Sequence, residues 1–271
     1  MITVVRAPPF ATVQDLGRYG HRAAAVPVSG AMDPVSLARA NGLVGNEPGL
    51  AAVEWGIGAG SLRLAPNTVV GWAGADVSIR REGDMLTVTA FRSGAWLYIA
   101  AQGGIDVPVV LGSRSTYLPG SFGGLEGRLL RAGDRLPTGR ANVGRADRDT
   151  VTQAPTFGAS AFEIVPGPDR HLLHDRVWKE FLETEWTVSR AVSRAGYCLD
   201  GPVLAFEASA DLPSAPVCPG AVQVPPGGRP IVLMPDGPTV GGYPRIAVVV
   251  SGELSRLAQR RPGEPVRFSL R

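Results

Sequence analysis

Lysine is almost missing from this chain: of its 27 basic residues, Lys179 is the one that is not arginine. The phosphate-cradling pattern G-x-x-x-x-G-K-[ST] is therefore absent, and any nucleotide phosphates must be held by another subunit or by an unrelated loop. Arginine offers a planar fork to carboxylates and phosphates but serves poorly as a Schiff base or proton shuttle. Cysteine is as scarce. Cys198 and Cys218 supply no disulfide framework and no CxxC pair, and they read as buried or idle thiols. His171 and His174 lie three apart and could share a helix face, yet no carboxylate or cysteine cluster completes a metal site around them. A G-x-S-x-G elbow is missing too, because Pro27 stands ahead of Val28-Ser29-Gly30; Ser29 reads as a turn or helix-entry residue. No apolar run approaches the roughly 18–20 residues that span a bilayer. The longest, Trp96–Ala101 and Ile246–Val250, are short, so no membrane role is expected. Arg6 and two prolines sit where a secretory peptide would need its apolar stretch, and a cytoplasmic location is expected. Basic residues are dispersed with few aromatics beside them, which argues against nucleic acid as a partner.

Glycine and proline, in contrast, are abundant. The 35 glycines and 24 prolines punctuate short apolar runs, the pattern of a many-stranded β protein. Hydrophobic residues at 44% against 19% charged are enough for a real core. Strands are expected at Ile2–Val5, Thr68–Trp72, Ala95–Ala100, Phe162–Val165, Ile231–Met234, Ile246–Val250 and Val266–Leu270, where β-branched and aromatic residues gather. Helix signals are few. Asp33-Pro34 is an N-cap followed by proline at the first helical position, and Gly45-Asn46 closes that segment. His171–Leu182 and Glu253–Arg260 are the other candidates. The fold class is thus all-β with a few short helices.

Residues 139–158 are polar, lack apolar periodicity and read as a boundary. One lobe is expected over residues 1–145 with the N-terminal motif, and a second over 155–271, with room in either for a discontinuity in sequence. Gly83-Asp84-x-Leu, Gly133-Asp134-x-Leu and Gly263-Glu264-x-Val form a weak internal echo.

Four segments are too rich in glycine, polar and aromatic residues to be simple connectors. They are TVQDLGRYG (Thr12–Gly20) leading into PVSGAMD (Pro27–Asp33), LGSRST (Leu111–Thr116) with GGLEGR (Gly123–Arg128), SRAGYCLDG (Ser193–Gly201), and Ala221 through Pro244. Glycine lets backbone N–H groups approach a ligand, and arginine clamps an anion. Asp15, Asp236 and Tyr243 could orient or move protons.

In combination, TVQDLGRYG, PVSGAMD with ANGLVGNEP, LGSRST with GGLEGR, and VPPGGRPIVLMPDGPTVGGYPRI resemble the carboxyltransferase-domain family that includes allophanate hydrolase subunit 2. The resemblance runs from about Thr12 to Phe268. It implies two cyclophilin-like β-barrel lobes and a subunit-1 homologue of the same family as partner in a hetero-oligomer. The function implied is that of one component of an ATP-linked enzyme acting on a small amide or lactam, most directly 5-oxoproline opened to glutamate, or of the complex labelled allophanate hydrolase. Alternatives within the family are the carboxyltransferase component of a urea-type, biotin-dependent carboxylase, and a non-catalytic regulator that binds its subunit-1 partner. ATP enters at the level of the complex, and carboxybiotin is the cofactor a partner would deliver. The resemblance centres the site on Asp236 and Tyr243 as catalytic residues. It adds Gln223, Thr239, Gly241, Gly242, Arg114, Ser115, Asp15, Arg18 and Arg194 as substrate-binding residues, with no metal. Where related chains carry glutamine before this threonine, here Pro238 stands, which points to a different substrate. A serine–serine–lysine amidase mechanism does not suit a chain whose one lysine, Lys179, lies in a charged helical segment.

Overall fold

A computed structural model of the chain describes residues 1–140, 161–206 and 212–271. The expected boundary therefore falls, after its first two residues, outside the described residues. The chain divides into two compact units. The first comprises Met1–Tyr19 and Ser29–Thr156, the second Gly20–Val28 and Phe157–Arg271.

The first unit opens with β1 (Ile2–Arg6) and β2 (Ala11–Gln14), then α1 (Pro34–Leu43), β3 (Ala52–Gly56), β4 (Gly60–Leu64), β5 (Val70–Glu82), β6 (Met85–Ala101) and β7 (Arg135–Leu136). They form a seven-stranded sheet in the order β2-β3-β6-β4-β1-β7, with β5 along the other side of β6. β6 is long enough to serve two neighbours on one edge. Met85–Val88 pairs with β4 and Trp96–Ile99 with β3, which curls the sheet into a half-barrel. Its core gathers Ile2, Val13, Val53, Trp55, Leu62, Leu86, Leu97, Ile99 and Leu136.

The second unit holds β8 (Phe162–Pro166), α2 (Asp175–Glu183), β9 (Trp186–Val192), β10 (Gly196–Asp200), β11 (Ala215–Pro216), β12 (Ala221–Gln223), β13 (Ile231–Leu233), β14 (Val240–Gly241), β15 (Arg245–Val249), α3 (Ser251–Ala258), β16 (Pro265–Val266) and β17 (Phe268–Leu270). Eight of these strands run in the order β16-β9-β10-β13-β12-β15-β8-β17. The two ends of that path, β16 and β17, flank the single residue Arg267. One short segment thus seals both edges, and the barrel is nearly closed, which removes exposed edges. Phe181 of α2 stacks on Trp178 and Phe268 and touches Trp186, corking the apolar interior. β11 and β14 form a separate two-stranded sheet.

The strand-rich expectation holds, and the helices need adjustment. Asp33 caps α1 as expected, accepting from Ser36 N at 3.0 Å with Pro34 at the first position. The segment at His171 is a short 3-10 turn followed by a break. His174 is extended (φ −57°, ψ 146°) and its ring caps Arg176 N, so α2 starts only at Asp175. The last helix begins at Ser251 and ends at Ala258, two residues earlier than expected. The strands expected at Thr68–Trp72 and Ala95–Ala100 are the ends of one long hairpin, β5–β6. Its distal half mixes exposed Arg80, Arg81, Glu82 and Arg92 with buried Leu86 and Val88, so pairing between the two strands and one apolar face together hold it extended. Arg92 locks it, clasping Asp76 through Nε at 2.9 Å. The three echoed turns share one geometry: Gly83, Gly133 and Gly263 all have positive φ just before β6, β7 and β16. Cys198 is half-buried, but Cys218 is exposed, so burial does not describe both thiols.

Candidate functional site

Each unit gathers its own set of the residues named above. In the first, the Asp15 carboxylate organises two loops. Its Oδ1 accepts from Ser113 Oγ (2.6 Å), Ser115 Oγ (2.5 Å) and Gly17 N (2.8 Å), and its Oδ2 from Arg114 N (2.6 Å). Asp15 N in turn donates to Ser115 Oγ at 3.0 Å. The LGSRST loop is thereby pinned beside β2, where Thr116 N and Oγ1 both donate to Val13 O. Ser115 is fully buried, and its hydroxyl is spent on Asp15. Arg114 reaches Asp106 at 2.7 Å.

Arg18, buried to 1% exposure, donates through Nη2 to Ser115 O and lies over the Phe122 ring, 4.9 Å from its centroid. Gly123 makes this approach possible. Its φ is +72°, and a Cβ there would lie 2.0 Å from Ser115 O and 2.9 Å from Arg18 Nη2. Ser29 sits in the same layer with φ +56°, donating to Thr116 O at 3.1 Å. That bond is a structural one, as expected for a turn residue.

In the second unit, the turn after β9 and the loop after β13 are zipped together. Met234 N donates to Ala195 O and Asp236 N to Arg194 O. Across them lies a two-pronged ion pair. Arg194 Nε donates to Asp236 Oδ2 at 2.8 Å and Nη2 to Oδ1 at 3.1 Å, with side chains 4% and 3% exposed. Both carboxylate oxygens of Asp236 are engaged, so its place in this geometry is as the counter-ion of Arg194.

The loop continues as Thr239, whose carbonyl accepts from Val217 N, then Gly241 and Gly242, then Tyr243. Gly242 lies so close to Leu212 that a Cβ would sit 2.7 Å from its carbonyl. Gln223 at the end of β12 is 4% exposed, and its Nε2 donates to Tyr243 O at 3.2 Å. Its amide rests on Gly241, where a Cβ would stand 2.9 Å from Nε2. Tyr243 is 41% exposed, and its hydroxyl has no hydrogen-bond partner among the described residues.

Tyr243→Phe should accordingly leave the urea unfolding midpoint unchanged. If the hydroxyl takes part in turnover as a general acid or base, kcat of the assembled enzyme should fall by about a hundredfold or more.

Two supporting pairs, one in each unit, were not legible in the motifs. Asp169 accepts from Arg245 N (2.9 Å), Nε (2.7 Å) and Nη2 (3.2 Å), anchoring the backbone two residues past Tyr243. The clue in sequence was Arg245 itself, placed directly after GGYP. Burial alone would raise the Asp169 carboxyl, but the Arg245 hydrogen bonds outweigh it and hold it below the ordinary carboxylate value. The lowered value fixes the sign. This stabilisation is present above about pH 3.9 and is lost as pH falls through the lowered folded value. The chain should therefore lose stability below about pH 4, and Asp169→Asn should flatten that part of an acid-unfolding curve.

The second pair lies in the first unit, where buried Glu54 accepts from Met32 N (2.8 Å) and Tyr98 OH (2.7 Å). Burial, then the charges of Glu54 and Asp33, push the Tyr98 hydroxyl well above its ordinary value. Tyr98 therefore acts as a neutral strut for the PVSGAMD segment.

No group of three or more potential metal ligands exists among the described residues, nor any helix long and apolar enough to cross a membrane.

The family model for the carboxyltransferase domain, subdomain A and B, matches residues 24–270. The chain belongs to the carboxyltransferase domain family. It is 38% identical to one of the subunits of 5-oxoprolinase from Escherichia coli (strain K12), over 99% of this chain and 90% of that protein. It is 28% identical to the urea amidolyase of Lachancea kluyveri, covering 96% of this chain but 16% of that one. The crystal structure of Kluyveromyces lactis urea carboxylase superimposes with a TM-score of 0.87 at 29% identity, covering 98% of this chain and 27% of that chain. This carboxyltransferase-domain chain thus spans most of the bacterial relative and a minor part of the two fungal proteins, and these relatives are components of enzymes.

Proposed function

We propose that this chain is one component of a multi-subunit enzyme that opens the lactam ring of 5-oxoproline to glutamate at the expense of ATP. The observation that carries the reading is the 38% identity to a 5-oxoprolinase subunit, extending over nearly the whole of both chains. The loop Asp236–Tyr243 is the site. Tyr243 presents its hydroxyl, Gln223 presents its amide, and Asp236 acts through Arg194 as a positioning residue. Arg18, Arg114 and Ser115, held by Asp15, form the preorganised loop of the first unit.

ATP enters at the level of the complex, because this chain lacks the lysine-bearing phosphate loop. Lys179 is exposed on α2 beside Glu183 at 3.7 Å, and no phosphate-cradling loop accompanies it. No step through ATP is assigned to this chain. A second chain, the subunit-1 homologue, is the partner expected to complete the enzyme in the cytoplasm. The two fungal relatives support a partnered unit, since each carries this region within a much longer polypeptide.

A second reading is transfer of a carboxyl group from carboxybiotin to urea. It is favoured by the TM-score of 0.87 to urea carboxylase. Two parallel assays of the reconstituted complex separate them, 5-oxoproline with ATP and urea with a biotinylated carboxylase. Glutamate in the first supports the leading reading. Carboxylated urea in the second with no glutamate in the first overturns it.

A further inference from the structure

β11 and β14 are two residues each, and a two-stranded ribbon is marginal in water on its own. The ribbon pairs Ala215 with Gly241 and Pro216 with Val240. Backbone bonds from Val217 N to Thr239 O (3.0 Å) and from Leu212 N to Gly242 O (2.9 Å) lengthen it at both ends, and its second strand runs directly into Tyr243. Arg245, the first residue of β15, fastens it to the barrel. Its Nη1 donates to Pro216 O at 3.0 Å, while Nε and Nη2 donate to the two oxygens of Asp169 at 2.7 and 3.2 Å. The guanidinium is therefore held by the turn after β8 and bonds the ribbon with its remaining nitrogen. The backbone fixes the Asp169 side as well: Arg245 N donates to Asp169 Oδ2 at 2.9 Å and Asp169 N to Arg245 O at 3.2 Å. Gly167 lets the turn come this close, since a Cβ there would lie 2.1 Å from Arg245 O. Across the barrel sheet Arg245 stands opposite Gln223 of β12, whose Nε2 donates to Tyr243 O at 3.2 Å.

We infer that Arg245 is a second positioning residue of the proposed site: its fork, oriented by Asp169, sets where the β11–β14 ribbon holds Gly241 and Tyr243 for turnover. This role rests on the 5-oxoproline reading and on the placing of its site at Asp236–Tyr243, and it adds the side chain that fixes that loop against the barrel. The geometry needs arginine. Its rigid plane presents Nε and Nη2 to a carboxylate and Nη1 to a third acceptor at a fixed angle, whereas lysine brings one nitrogen and no plane. Arg245→Lys therefore keeps the charge opposite Asp169 and loses the fixed link to Pro216 O. A displacement of about 1 Å at reacting groups can cost about a hundredfold in rate. Because the interaction lost is one of alignment rather than of uniform binding, the effect falls on kcat rather than on KM.

The test compares the assembled wild-type complex with complexes carrying Arg245→Lys or Arg256→Met, by glutamate formation from 5-oxoproline and ATP and by amide hydrogen exchange. Arg256 pairs with Glu253 and lies over the Phe162 ring, so Arg256→Met lowers the stability of the same unit and leaves the link from Arg245 to Pro216 O in place. Arg245→Lys should lower kcat at least about tenfold, with KM for 5-oxoproline close to wild type. Exchange should accelerate at Leu212 and Val217 of the ribbon beyond any change at Leu199 and Val249 of the barrel. Arg256→Met should lower the urea midpoint and keep kcat close to wild type. Asp169→Asn keeps Arg245 and loosens its orientation; it should move kcat and ribbon exchange in the same direction by less, and it carries the test if Arg245→Lys does not fold. Wild-type kcat in folded Arg245→Lys, a loss borne by KM alone, unchanged ribbon exchange, or equal losses of kcat in Arg245→Lys and Arg256→Met overturns the inference and leaves the 5-oxoproline reading intact. No glutamate from the wild-type complex overturns that reading, and the inference with it.

Discussion

Asp236→Ala should destabilise the second unit by roughly 3–5 kcal/mol, the range for removing one partner of a buried ion pair. The size follows from what is left behind. Arg194 stays 4% exposed, with the carboxylate that accepted from its Nε and Nη2 gone. Its guanidinium does not lose its proton, and at 4% exposure it is shielded from water. Because Asp236 N and Met234 N are bonded to the turn after β9, the Gly241–Tyr243 segment should loosen with it. Replacing both partners by apolar side chains, Arg194→Met with Asp236→Leu, should recover most of the stability, since a buried pair and a hydrophobic substitute are often nearly equivalent. The conservative Asp236→Asn separates positioning from direct proton transfer. A positioning residue loses stability and turnover together. A proton carrier loses turnover with the urea midpoint unchanged, which would contradict the role assigned to Asp236.

Asp15→Ala is the counterpart in the first unit, with an expected cost of about 2–4 kcal/mol, because a charge-assisted hydrogen bond contributes about 1.5–3 kcal/mol. Four donors lose their acceptor at once: Gly17 N, Arg114 N, Ser113 Oγ and Ser115 Oγ. The hydroxyls can rotate towards other partners, whereas the two backbone N–H groups cannot. Amide hydrogen exchange should therefore accelerate at Gly17 and Arg114 well beyond the global effect. Unchanged protection there would mean that the LGSRST loop is held by the β2 pairing alone. Asp15→Asn should fall between wild type and Ala, since its one carbonyl oxygen can keep either the Oδ1 donors, Gly17 N with the two hydroxyls, or Arg114 N, while its NH2 faces the other set.

The strand-rich class was legible because glycine and proline break the apolar runs at strand-like intervals. The cap at Asp33-Pro34 was legible because it is local chemistry, one side chain bonded to Ser36 N three residues on. The β5–β6 arm was hidden, since Asp76, Arg80, Arg81 and Arg92 look like loop residues until the partner strand is present to bond them. Closure of the barrel was hidden for a related reason. β16 and β17 pair with β9 and β8, strands distant in sequence, and nothing at Pro265–Leu270 announces it. The motifs marked the loops that carry polar residues, but not which groups within them are occupied. Asp236 and Arg194 both looked available as single residues, and they bond each other across a sequence gap of 42.

The proposal that this chain is a required part of a 5-oxoproline-opening enzyme is tested most directly by glutamate formation from 5-oxoproline and ATP in purified partner subunits, with and without the chain. Glutamate should form when the chain is present and stop when it is omitted. Equal rates in its absence, or no glutamate from a complex shown to be assembled and folded, would contradict the proposal.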